Sequence, residues 1–147
     1  MEAPDTAGKC VLIVEDNLLN MKLFSAMVAA EGYGVLQAAD AARGLDLAHQ
    51  ECPDLIIMDV KLPGMSGLEA TRILKDDADT ADIPIIVTTA YGLTGDDEEV
   101  KASGCDAFLA KPIGLSELVE LIDVLMLRSV PEPRYVRRLI EANAKSA

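Results

Sequence analysis

Asp54 to Gly67 read DLIIMDVKLPGMSG. An unbroken apolar run, Leu55-Ile56-Ile57-Met58, stops at one carboxylate, Asp59, and Pro63, Gly64 and Gly67 follow in the next few residues. An apolar run with no polar alternation reads as a strand buried on both faces, as in a parallel sheet. Such sheets bind ligands in the crevice outside the carboxyl ends of their strands. Asp59 is therefore expected at the mouth of a crevice, with a Pro/Gly loop after it. Taken alone, the stretch reads better as an Asp that merely caps the next helix; the flanking sequence reverses that preference.

Working outward, similar runs recur. Cys10-Val11-Leu12-Ile13-Val14 reads as a first buried strand and ends in Glu15-Asp16. Asn17 is a good N-cap for a helix whose apolar residues are Leu18, Leu19, Met21, Leu23, Phe24, Met27 and Val28. Tyr33–Ala38 reads as a second strand, and Asp40 caps a second helix reaching Gln50. After Asp59, Ser66 and Glu69 form a capping-box pattern for a third helix anchored by Leu68, Ile73 and Leu74. An acidic loop, Asp76–Asp82, leads to a fourth strand, Pro84–Thr89. Thr94 and Asp97 start a weak fourth helix that Gly104 closes; Asp106–Ala110 is a fifth strand, with Lys111-Pro112 directly after it. Gly114 and Glu117 open a last helix with apolar residues from Leu115 to Leu127. Five strands alternating with five helices through short connections predict a doubly wound α/β fold on a central five-stranded parallel sheet. The expected division is a flexible arm over 1–8, one domain over 9–127 and a C-terminal extension over 128–147. Pro131 and Pro133 break the chain there, and Arg134 to about Ala144 has the pattern of a short amphipathic helix.

The 147 residues suffice for one cored domain, and with 50% apolar but only 3% aromatic residues that core must be aliphatic. No apolar run approaches the roughly 20 residues a membrane helix needs, and residues 1–8 lack the pattern of a secretory signal. Cys10, Cys52 and Cys105 are odd in number and far apart, which fits buried thiols in a reducing cytoplasm rather than a disulfide framework or a zinc site. His49, the one histidine, reads as a surface helix residue. The net charge of −12 argues against non-specific nucleic-acid binding. It is unevenly spread: residues 1–127 carry −15 and residues 128–147 carry +3.

In a parallel sheet the strand ends lie along one edge, so Glu15, Asp16, Asp59, Thr88, Thr89 and Lys111 should converge. Two carboxylates 4–5 Å apart repel by about 4 kcal/mol at an effective dielectric near 20. A cluster of three persists only if positive charge enters it. Lys111 supplies one charge, and a divalent cation would supply the rest. Oxygen ligands with no His or Cys favour Mg2+. An Asp beside Mg2+, a Lys and a Thr hydroxyl can act as a nucleophile toward phosphorus. The product would be an aspartyl phosphate on Asp59. No obvious general base is placed to hydrolyse it, so the mark should persist, which suits a switch better than a turnover enzyme.

These residues carry a resemblance. Val14-Glu15-Asp16-Asn17, Met58-Asp59 with Pro63-Gly64 and Gly67, Thr89-Ala90 and Lys111-Pro112 resemble the receiver domain of two-component response regulators, over about residues 9–127. The resemblance implies a flavodoxin-like fold and a role for each matching position. Asp59 matches the phosphoacceptor. Glu15, Asp16, Asp59 and the backbone carbonyl of Lys61 match the Mg2+ site. Thr89 matches the switch hydroxyl, Lys111 the phosphate-binding lysine, and Phe108 the switch aromatic, expected to rotate inward into space that Thr89 vacates. Pro112 matches a cis turn that positions Lys111, Lys61 and Tyr91 fall where the family tunes dephosphorylation, and Thr88 is left as strand packing. The implied partners are a histidine kinase or phosphotransfer protein upstream. Downstream, a kinase or regulatory protein would dock on the face made by the fourth helix, fifth strand and fifth helix. More narrowly, VLIVEDNLLNMKLF, LPGMSGLE, TAYGLTGDDEE and GCDAFLAKPI are similar to single-domain cell-division regulators of that family, which have no output domain and dock on histidine kinases. The chain departs from them in its extension, 128–147.

Two other classes fit less well. A Mg2+-dependent phosphatase with an aspartyl nucleophile would need a second Asp two residues after Asp59, where this chain has Lys61. A DNA-binding regulator would need an output domain, and only the basic extension follows Leu127; its stripe could touch nucleic acid, fold back on the acidic domain or bind a partner protein.

Overall fold

The computed structural model describes residues 8–90 and 98–127. The expectations for the arm, the extension, Tyr91 and the Thr94–Asp97 helix start lie outside the described residues, except for Gly8. In chain order the elements are β1 Cys10–Val14, α1 Leu18–Ala30, β2 Gly34–Ala38, α2 Ala41–Glu51, β3 Leu55–Asp59, α3 Gly67–Asp76, β4 Ile85–Thr89, α4 Glu98–Ser103, β5 Ala107–Ala110 and α5 Leu115–Leu127. The five strands pair in parallel in the order β2-β1-β3-β4-β5. The chain therefore winds one way from β1 to β2 and the other way from β3 onward. The topological switch point, where ligands of such sheets bind, lies between β1 and β3.

Every residue of β3 and β4 is buried, as their unalternating sequences demand. Side chains on a strand point alternately to its two faces, so the sheet builds two cores. Ile13, Ile57, Ile86 and Leu109 meet Phe24 of α1 and Leu118 and Ile122 of α5 on one side. Leu12, Met58, Val87 and Phe108 meet Ala48 of α2, Leu74 of α3 and Val100 of α4 on the other.

The structure corrects some expected anchors. In α1 only Met21, Phe24 and Val28 are buried, whereas Leu18 and Leu19 are 79% and 75% exposed and Leu23 is half exposed. This helix is apolar almost all round, so hydrophobicity does not mark its inner stripe; at 100° per residue, Leu19 and Leu23 fall opposite Met21. Leu18 belongs to the first turn. Ile73 of α3 is likewise 42% exposed while Leu68 and Leu74 are buried. Ser66 caps α3 by accepting from Leu68 N–H at 3.0 Å rather than from Glu69, so the expected capping box is only half recognisable. Asp106 precedes β5 instead of opening it. Its carboxylate accepts from Ile85 N–H at 2.8 Å and pairs with Lys75 at 2.7 Å. The Lys75 ammonium also donates to the carbonyls of Ala81 and Ile83, so one cation ties the acidic loop to the sheet.

Gly67 explains the end of the opening motif. Its N–H donates to Val60 O at 2.9 Å, and a Cβ there would lie 1.8 Å from the carbonyl oxygen of Asp59. The first turn of α3 rests directly on the backbone that carries Asp59, and any side chain would push the two apart. Gly67→Ala is expected to cost roughly 3 kcal/mol or more, since the obstacle is backbone and cannot rotate away. Urea unfolding midpoints of the variant and wild type check this; equal midpoints would contradict the contact.

Candidate functional site

The strand ends deliver their polar groups to one edge. Glu15 follows β1, Asp59 ends β3 and Lys111 follows β5, and the three side chains meet. The Lys111 ammonium donates to Glu15 Oε1 at 2.8 Å and lies 3.3 Å from Asp59 Oδ1. The second oxygen of Glu15 accepts from Asn17 N–H at 3.1 Å, at the start of α1. Glu15 and Asp59 are buried, whereas Asp16 is exposed. Each of Glu15, Asp16 and Asp59 offers a carboxylate oxygen, and these oxygens lie within 4.8 Å of one another. No His or Cys joins this group, so its donors are the oxygens that hard divalent cations accept.

The electrostatics follow from burial and crowding. Burial pushes the Asp59 carboxyl up to about 6; the neighbouring Glu15 charge adds to the rise and Lys111 opposes it. Burial pulls the Lys111 ammonium down, but its hydrogen bond to Glu15 and the charge of Asp59 outweigh this and hold it above its ordinary value. One ammonium is shared between two buried carboxylates, with a third carboxylate at the rim.

The other expected residues fall as follows. Thr89 ends β4 and is buried. Its carbonyl accepts from Lys111 N–H, and the Lys111–Pro112 peptide bond is cis. Lys61 is exposed in the loop two residues past Asp59. Phe108 already lies buried with Val87 and Val100, at 3% exposure, so the expected inward rotation does not start from an outward ring here. A phenyl ring has no hydroxyl to satisfy and packs here among apolar side chains. His49 sits on the exposed side of α2, bonded to Leu45 O and Asp77, away from the site. Thr88, read from sequence as strand packing, does lie within β4. It pairs with Asp59 in the ladder and is fully buried. Its place beside Asp59 is set by the register, which needs both strands.

With this geometry in hand, the chain belongs to the response regulator receiver domain family, whose model matches residues 11–123. Within it, the chain is similar to the polar-differentiation response regulator DivK of Brucella ovis, 46% identical over 114 residues that cover 78% of this chain and 93% of the relative. It also resembles the receiver domain of a Pseudomonas aeruginosa sensor histidine kinase, whose crystal structure holds a magnesium ion coordinated in the active-site cleft. That likeness has a TM-score of 0.75 at 35% identity and covers 82% of this chain and 98% of the other. The Vibrio cholerae chemotaxis protein CheY4 superposes with a TM-score of 0.75 at 28% identity, over 81% of this chain and 99% of that one.

The raised Asp59 carboxyl has a consequence for stability. A carboxyl whose folded value lies above its unfolded 3.8 favours folding when protonated, and its ionisation costs folding as pH rises through 4 to 6. Asp59→Asn, which removes that charge, is expected to stabilise the protein in metal-free buffer at pH 8 by up to about 3 kcal/mol. The gain should shrink below pH 6 and vanish near pH 4. Denaturation midpoints of both proteins at pH 4, 6 and 8 check the sign; a gain independent of pH would contradict it.

Proposed function

We propose that this chain is a single-domain response regulator of a two-component phosphorelay, a switch that takes a phosphoryl group on Asp59 and signals through protein contacts. The observation that carries the reading is the meeting of buried Asp59 with Glu15, Asp16 and Lys111 at the switch point between β1 and β3. Asp59 Oδ attacks the phosphorus of a phosphohistidine on a histidine kinase or phosphotransfer protein. The P–O bond forms as the P–N bond breaks, and the imidazole leaves and takes up a proton. Lys111 stands where the transferred charge arrives and has Asp59 already within reach. The carboxylate trio, with the Lys61 carbonyl, would hold Mg2+, and the bound ion would neutralise the equatorial phosphoryl oxygens. Thr89 contributes the switch hydroxyl, Phe108 the aromatic coupled to it, and Pro112 the turn that sets Lys111. Lys61 and Tyr91 tune the lifetime of the mark.

Reaction at Asp59 is stoichiometric, so the chain serves as a phosphoacceptor rather than a turnover enzyme. The phosphorylated form adds about −1.5 to −2 charge to an already acidic pocket. It is recognised by a downstream kinase or regulatory protein at the face of α4, β5 and α5, and α4 has only Val100 and Ser103 buried. The likeness to the DivK regulators supports a role in cell-cycle or cell-division control. Cytoplasmic localisation accords with three free cysteines, and no described helix is long and apolar enough to cross a membrane.

Radiolabelled acetyl phosphate or a phosphorylated histidine kinase, with Mg2+, tests the assignment. Wild type should take up one phosphoryl group and Asp59→Asn none; labelling that persists in the variant sinks the reading. Lys111→Ala should remain folded by circular dichroism and label roughly 10²-fold more slowly, the usual loss when one donor to a developing anion is removed. An unchanged rate would remove Lys111 from the mechanism.

A further inference from the structure

The ladder places a second hydroxyl beside the phosphoacceptor. Asp59 pairs with Thr88, and Thr88 pairs with Leu109. Ile57, Ile86 and Leu109 share one core, so Asp59 and Thr88, each two residues further along its strand, point to that same face. Glu15 follows Val14, whose partner is Met58, and so stands next to Asp59 on the other side. The row across the sheet is Glu15, Asp59, Thr88, Leu109. Lys111 comes two residues after Leu109, yet its ammonium reaches Asp59 and Glu15. Neighbouring strands are about 4.8 Å apart, so its stem must cross the end of β4, over Thr88.

Thr88 Oγ1 is fully buried and has no hydrogen-bond partner, the one such side-chain atom among the described residues. Valine has the same shape and would pack without that cost. A hydroxyl kept here at the expense of stability points to a second state in which it is bonded. An ammonium carries three N–H donors; in the present state one goes to Glu15 Oε1, and the ammonium lies 3.3 Å from Asp59 Oδ1. When Asp59 carries a phosphoryl group, the negative charge moves outward to the phosphoryl oxygens, and Lys111 must follow it away from the Asp59 carboxylate.

We propose that Thr88 is a positioning residue for Lys111: its hydroxyl accepts an N–H of the ammonium when Asp59 is phosphorylated, and so fixes Lys111 over β4, facing the phosphoryl oxygens. This rests on the phosphoacceptor reading of Asp59. It differs from the role of Thr89, which alternation places on the opposite face with Val87 and Phe108.

The test uses the whole chain and the variants Thr88→Val and Thr88→Ser. Uptake from acetyl phosphate is timed at saturating Mg2+, Mg2+ affinity is titrated separately, and melting is recorded without metal. Thr88→Val should melt no lower than wild type and bind Mg2+ within twofold of it, yet take up phosphate at least fivefold more slowly. Thr88→Ser, which keeps the hydroxyl, should recover most of that loss. Wild-type uptake matched by Thr88→Val overturns this inference and leaves the phosphoacceptor reading standing. Thr88→Ser as slow as Thr88→Val also overturns it, because packing of the methyl group would then be the cause. A lower melting temperature in Thr88→Val shows the hydroxyl already bonded in the resting state, and that too overturns the inference. A wild-type chain that takes up no phosphate at all overturns both.

Discussion

Everything at this site depends on the repulsion between carboxylates held too close together. Glu15 and Asp59 are buried side by side, Asp16 stands at their rim, and one ammonium is shared between the buried pair. Left alone, such a cluster would protonate or fly apart; burial indeed holds the Asp59 carboxyl near 6. The structure keeps it because each buried carboxylate is fixed by an element that cannot yield. Glu15 is tied to Lys111 and to the start of α1 through Asn17 N–H. Asp59 ends a strand whose every residue is buried, and Gly67 lets α3 rest against its carbonyl. Three carboxylates share this pocket with one ammonium.

The sheet topology keeps that crowding at one edge. Because β1 lies between β2 and β3, the chain departs from β1 in two directions and leaves a gap at the carboxyl ends of β1 and β3. Both helices that follow those strands start at this edge, α1 after its cap Asn17 and α3 after its cap Ser66. The two cores then divide the labour. The face packed by α1 and α5 carries Glu15, Asp59, Thr88 and Lys111. The face packed by α2, α3 and α4 carries Thr89 and Phe108.

Exposed apolar residues cluster where this edge meets solvent. Leu18 and Leu19 follow closely on the acidic pair Glu15 and Asp16 and are more than two-thirds exposed. The Lys75–Asp106 pair lies at the opposite, amino-terminal end of β4 and β5, where it closes the loop before β4 without touching the site.

The sequence alone determined the strands, the order of helices and the identity of the charged cluster. Unalternating runs such as LIIM and IIVTT have no amphipathic option, and a carboxylate or lysine directly after such a run must lie at a sheet edge. The resemblance carried by Asp59, Thr89 and Lys111-Pro112 identified the family on the same residues. Three things waited for tertiary structure. Which leucines of α1 face inward depended on helix phase against the sheet, since an almost wholly apolar helix carries no contrast. The need for Gly67 depended on a backbone approach between residues 59 and 67, which composition cannot express. The place of Thr88 beside Asp59, with its hydroxyl unbonded, depended on strand register, a relation between two segments almost thirty residues apart that neither segment encodes by itself.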